Sequence, residues 1–129
     1  MIGIFPVRGA AVPVPVSGVE RSCDVGAWAV LALSGEIDLG AVPRVREVVG
    51  ELVAEGRVHL VWDLREVSFM DSAGLGVLVA AVRSAEARQG EVRLAGVGPQ
   101  VSRLLELTGL DAVIGVYADV PSAAGPAAG

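Results

Sequence analysis

Ser72 is the residue whose type and surroundings best suit chemistry. It sits in Val67-Ser68-Phe69-Met70-Asp71-Ser72-Ala73-Gly74-Leu75-Gly76, where a short loop gives way to a helical pattern. Asp71 or Ser72 would each be an ordinary N-cap, accepting a hydrogen bond from an otherwise unpaired amide of the first turn. Two consecutive capping-type residues are more than one cap needs. If Asp71 caps, Ser72 falls in the first turn with its hydroxyl free for solvent or a partner. Ala73, Gly74 and Gly76 keep the surroundings low, so another protein's backbone can approach closely. Phe69 and Met70 beside this end read equally well as core edge or as contact surface.

A serine so placed raises the question of nucleophilic catalysis. A nucleophile elbow would read Gly-x-Ser-x-Gly, but Met70 stands two residues before Ser72. The single histidine, His59, lies upstream in a strand pattern, whereas hydrolases of that class place theirs after the serine. A serine triad therefore lacks its general base. One cysteine, one histidine and scattered carboxylates make no metal-ligand cluster. All ten basic residues are arginine, so a phosphate-binding loop ending in Gly-Lys cannot form. No catalysis, metal or cofactor is expected. A small hydrolase would survive only as an esterase activity that disappears in Ser72→Ala.

The elements that must position Ser72 follow from periodicity. Val19 to Cys23 reads as a strand and Trp28 to Leu33 as a second, near-continuous apolar one, ended by Ser34-Gly35. Val42, Val45, Val49, Leu52 and Val53 then recur at helical spacing, with Gly56 as a stop. Val58 to Leu64 returns to strand character, and Arg65 to Met70 reads as a loop. A second helix carries the stripe Leu75, Leu78, Val79 and Val82 and ends by Gly90. Val92 to Ala95 is a short strand. Pro99 suits the first turn of a third helix that stops at Thr108-Gly109, and Val113 to Tyr117 forms the last strand. Alternating strands and helices imply an α/β domain: a mixed, mostly parallel sheet with helices packed on one face.

The 129 residues fit one domain able to bury its own core. The lone Cys23 cannot form an internal bridge, and a reducing cytoplasm is the expected setting. Mean hydropathy is high at +0.61. Yet the apolar run Leu75 to Val82 falls far short of the roughly 20 residues of a membrane span, so no membrane is expected. A net charge of −5 gives no basic stripe, and nucleic acid is not expected either. Residues 1–17, apolar but interrupted by Pro6, Pro13 and Pro15 and without a basic start, read as a flexible or extended lead-in. Residues 18–118 read as the domain, and 119–129 as a flexible tail too small to bury anything useful.

The stretch Ser68-Phe69-Met70-Asp71-Ser72-Ala73-Gly74-Leu75-Gly76-Val77-Leu78 closely resembles the phosphorylation segment of bacterial anti-sigma factor antagonists, which are single STAS domains. Leu33-Ser34-Gly35-Glu36-Ile37-Asp38 resembles the strand-end loop beside that serine. Arg103-Leu104-Leu105-Glu106-Leu107-Thr108-Gly109-Leu110 resembles the family's last helix and turn. The resemblance implies partner switching. The unphosphorylated domain binds an anti-sigma factor, commonly also a serine kinase, and frees a sigma factor. Phosphorylation releases the antagonist, and a serine phosphatase reverses the mark. By position the acceptor is Ser72, with Asp38, Met70, Asp71, Ser72, Ala73, Gly74 and Leu75 forming the partner surface. Ala73 stands where the family often has a second Ser or Thr. Weak nucleotide binding near Asp38 and Ser72 is also consistent with the resemblance, although the sequence shows no phosphate cradle. The alternative on the same fold is a non-catalytic STAS subunit of a lipid-transport or stress-sensing assembly.

Overall fold

The computed structural model describes residues 18–126; the lead-in expected over 1–17 lies outside them. Five strands form one sheet whose spatial order is the chain order: β1 (Gly18–Arg21), β2 (Ala29–Ile37), β3 (His59–Met70), β4 (Glu91–Ala95) and β5 (Gly115–Tyr117). β1 runs antiparallel to β2, and every later pair is parallel.

Each parallel pair needs a crossover, and right-handed crossovers that always advance in one direction put their helices on one face. The three helices are α1 (Val42–Ala54), α2 (Ser72–Glu86) and α3 (Pro99–Thr108). Their buried stripes include Val45, Val48, Val49 and Leu52, then Val77, Leu78, Ala81 and Ala85, then Val101 and Leu105. These pack into one core with Leu31, Leu33, Leu60, Trp62, Leu64 and Leu94 of the sheet. A fully buried side chain of this kind contributes roughly 1.5–3 kcal/mol. The expected fold class is the observed one.

Two boundaries differ from expectation. β2 continues past Ser34-Gly35 to Ile37, and β3 takes in Arg65 to Met70. The pairing reaches Ile37↔Met70 by way of register shifts between Ala32 and Ser34 and between Gly35 and Glu36. Bulges of this sort break the strict alternation of strand side chains, so the segment lacks strand periodicity while keeping its ladder.

The flexible tail expected over 119–129 is incorrect as far as Pro126. Val120–Ala123 forms a short helix, α4, with Ala123 fully buried. It closes the sheet face away from α1–α3, where Ala123 joins Trp28, Val30, Val61 and Ala95. Asp119 caps it by accepting from the Ser122 amide at 2.8 Å. Trp28 Nε1 donates to the Gly125 carbonyl at 2.8 Å. Arg93 donates to the carbonyls of Ala123, Gly125 and Pro126. Small side chains gave no sign of anchorage because the segment is held largely by its backbone oxygens.

Candidate functional site

Ser72 is set by the ends of two strands and the start of one helix. Ile37 and Met70 pair as the last residues of β2 and β3, and the Asp71 amide donates to the Ile37 carbonyl at 3.3 Å. Asp38 and Asp71 therefore leave neighbouring strands at the same level, at the carboxyl edge of the sheet. Such edges are where open α/β sheets present their binding groups.

Asp71 is the N-cap. Its backbone is extended, and its Oδ1 accepts from the amides of Ala73 at 2.9 Å and Gly74 at 3.0 Å. Its carbonyl takes the Leu75 amide at 3.0 Å. Its side chain thus occupies two of the four donors that a helix start leaves unpaired, while its carbonyl accepts the first bond of the helix itself. Ser72 is the first helical residue. It is exposed, and its hydroxyl makes no hydrogen bond among the described residues. Asp38 is half-buried, and its Oδ1 accepts from the Gly40 amide at 3.0 Å to hold the turn into α1.

Two residues expected on the partner surface face inward instead. Met70 is 0% exposed and belongs to the core, because the strand register turns it toward the helices. Gly74 is buried as well. A Cβ there would collide with the Ile37 carbonyl and lie 2.8 Å from Met70 Cγ. Its missing side chain admits the molecule's own backbone, not a visitor's. Leu75 is half-buried against the core, whereas Ala73 is half-exposed beside Ser72.

Sequence reasoning missed two contributors. Gln100, from the first turn of α3, accepts from the Met70 amide at 2.8 Å and donates to its carbonyl at 2.9 Å. β4 pairs with β3 only as far as Asp63, so this amide side chain stands in for a missing strand just before Asp71. Nothing local in the sequence predicts a contact thirty residues away. Leu39, next to Asp38, is 74% exposed and joins Phe69, at 40%, as apolar surface at this end of the sheet. An isolated apolar residue in the turn after a strand would have been the signal for Leu39.

A rigid α/β frame thus presents an unengaged hydroxyl, flanked by two carboxylates and exposed apolar groups, with no cluster of metal-ligating residues among the described residues. The chain belongs to the STAS domain family, whose model matches residues 19–123. It is similar to the anti-sigma-B factor antagonist of Listeria monocytogenes, with 43% identity over 82 residues covering 64% of this chain and 72% of that protein. The Staphylococcus aureus anti-sigma-B factor antagonist is 35% identical over 78 residues, covering 60% and 72%. Among solved structures, an anti-sigma factor antagonist from Mycobacterium paratuberculosis superposes with a TM-score of 0.72 at 32% identity, covering 85% of this chain and 91% of that one. The phosphorylated form of the Bacillus cell fate determinant SpoIIAA gives a TM-score of 0.63 at 25% identity, covering 77% and 90%.

Proposed function

We propose that this chain is a non-catalytic anti-sigma factor antagonist that switches partners through phosphorylation of Ser72. Unphosphorylated, it docks an anti-sigma factor over the Ser72 end and frees a sigma factor. The anti-sigma factor, or a kinase acting with it, uses ATP to phosphorylate Ser72, and a serine phosphatase restores the hydroxyl. The reading places this exchange in the cytoplasm. The observation that carries it is the Ser72 hydroxyl, exposed and unengaged directly after the Asp71 cap. Its support from outside the molecule is the likeness to the Listeria and Staphylococcus antagonists.

The physics of the switch lies in what the helix start can still accept. A phosphate adds roughly −1.5 to −2 charges at neutral pH. A helix N-terminus would ordinarily favour such an anion, but the Asp71 carboxylate already takes the Ala73 and Gly74 amides. The phosphate therefore gains little inside the monomer and stays in solvent. Burying it under a partner shaped for a hydroxyl costs on the order of 3–5 kcal/mol, which is roughly two to three orders of magnitude in affinity. Refolding is not required.

The test is intact-mass analysis after incubation with ATP and a serine kinase of the anti-sigma class, followed by peptide mapping. The expected result is one phosphoryl group on Ser72 and none on Ser72→Ala. Labelling elsewhere, with Ser72→Ala labelled like the parent, would refute the assignment.

A further inference from the structure

Between α1 and α2, away from the Ser72 end, the helix layer carries a groove of about 380 Å³, within the range of small-molecule sites. Its walls are apolar: Val49 and Val53 from α1, Val77 and Ala81 from α2. Gly50 and Ala80 keep its rim low, and a Cβ added at Gly50 would meet nothing within 4 Å. A glycine inside a helix costs roughly 0.5–1 kcal/mol against alanine, and no internal contact of this molecule explains it.

The charges at the groove select its occupant. The chain has 15 carboxylates against 10 arginines, yet the lining includes Arg46 and Arg88 and no carboxylate. Glu47, Glu51 and Glu86 lie on other sides of their helices. Arg88 is partly engaged, donating to the Val53 carbonyl at 3.2 Å. Arg46 is exposed and has no ion pair or hydrogen bond for its guanidinium among the described residues. Residues 1–17 contain Arg8 and no carboxylate, so that stretch carries the wrong charge to complete the site. A second copy placed groove to groove would set arginine against arginine. The slot is floored by valine and alanine between two adjacent helices.

We propose that this groove binds a monomeric single-chain amphiphile with an anionic head, its tail between Val49 and Val77 and its head on Arg46. The site is separate from the Ser72 surface and does not depend on the function assigned there.

Sodium dodecanoate is the probe, titrated into the full chain while amide resonances are followed by NMR. Saturable shifts confined to α1 and α2 are expected, with a dissociation constant on the order of 10–100 μM. Arg46→Glu should weaken binding at least tenfold, and dodecanol should bind at least tenfold more weakly than dodecanoate to the parent. Gly50→Leu should remove binding by filling the slot, with a thermal midpoint no lower than the parent's showing that it still folds. Absence of shifts at 1 mM dodecanoate overturns the proposal. So does equal binding of dodecanoate, dodecanol and dodecyltrimethylammonium. Binding to anionic phospholipid vesicles without any response to dodecanoate would also overturn it, assigning the surface to a membrane instead.

Discussion

Arg93 and Ser72 show two ways in which this molecule handles polar groups. Arg93 is 4% exposed, and all five of its N–H donors are used: two on Glu91 and three on the carbonyls of Ala123, Gly125 and Pro126. Its guanidinium also lies 4.4 Å from the Trp28 ring centroid and 5.3 Å from that of Tyr117. The cation locks the C-terminal segment over the sheet and leaves no valence for another molecule. Ser72 is the reverse case. Its neighbours Asp71, Gly74 and Gln100 spend their hydrogen bonds and close contacts on fixing the backbone, and the hydroxyl they position bonds to none of them. A fully satisfied group stabilises a fold, whereas a rigidly placed unsatisfied one is available to a partner.

The contrast can be tested by disturbing each region. The largest stability effect is expected for Arg93→Ala, which strands three carbonyls and removes the ion pair to Glu91, and it should cost about 3 kcal/mol, near the low end for breaking a buried ion pair. Urea denaturation measures it. Arg93→Lys should recover only part, because an ammonium cannot span the same five acceptors. A loss below about 1 kcal/mol for Arg93→Ala would mean that the lock contributes little.

Next comes Gly74→Ala. Overpacking against the Ile37 carbonyl costs about 1–3 kcal/mol, while a helical alanine returns up to about 1 kcal/mol. A net loss of about 1–2 kcal/mol is expected, with a displaced start of α2 and weaker partner binding. A gain in stability would show that the helix start is looser than the contacts imply.

Acid should act more gently and on one side only. Backbone hydrogen bonding from Ser122 holds the Asp119 carboxyl below its ordinary value. A lowered folded-state value means the stabilisation is complete above the ordinary aspartate range and is lost as pH falls through the depressed value. Protection of residues 120–126 against hydrogen exchange, relative to the intrinsic rate at each pH, should therefore fall below that range, and Asp119→Asn should flatten the response. Glu55 behaves in the same direction, held down by its hydrogen bond from Arg21.

The smallest effect is expected at Trp62, fully buried with its Nε1 unpartnered among the described residues. Trp62→Phe removes packing but also relieves an unpaired donor, so the two terms oppose each other. Stability should change by less than about 1 kcal/mol.

The two regions also differ in how legible they were from sequence. Ser72, Asp71 and the helix behind them were readable because a cap is a local affair: an acceptor, an amide two residues on, and a periodic stripe. The parallel sheet was readable for the same reason, from strands alternating with helices. The inward turn of Met70 was not, because the extra residues that β3 carries against β2 reset the alternation that decides which face a strand residue meets. Gly74 misled for a related reason: its bare Cα looks the same in sequence whether it admits a partner or an internal carbonyl. The lock on residues 119–126 was invisible, since it depends on an arginine thirty residues upstream and on backbone oxygens that every sequence has.

The central claim is that charge on Ser72 controls docking without altering the fold. The most direct measurement is the dissociation constant of one anti-sigma partner for the chain before and after stoichiometric phosphorylation of Ser72, alongside the thermal midpoint of each form. The account predicts a loss of roughly 100- to 1000-fold in affinity with the midpoint essentially unmoved. Equal affinities for the two forms, or a loss of binding that tracks a collapse in thermal stability, would contradict it.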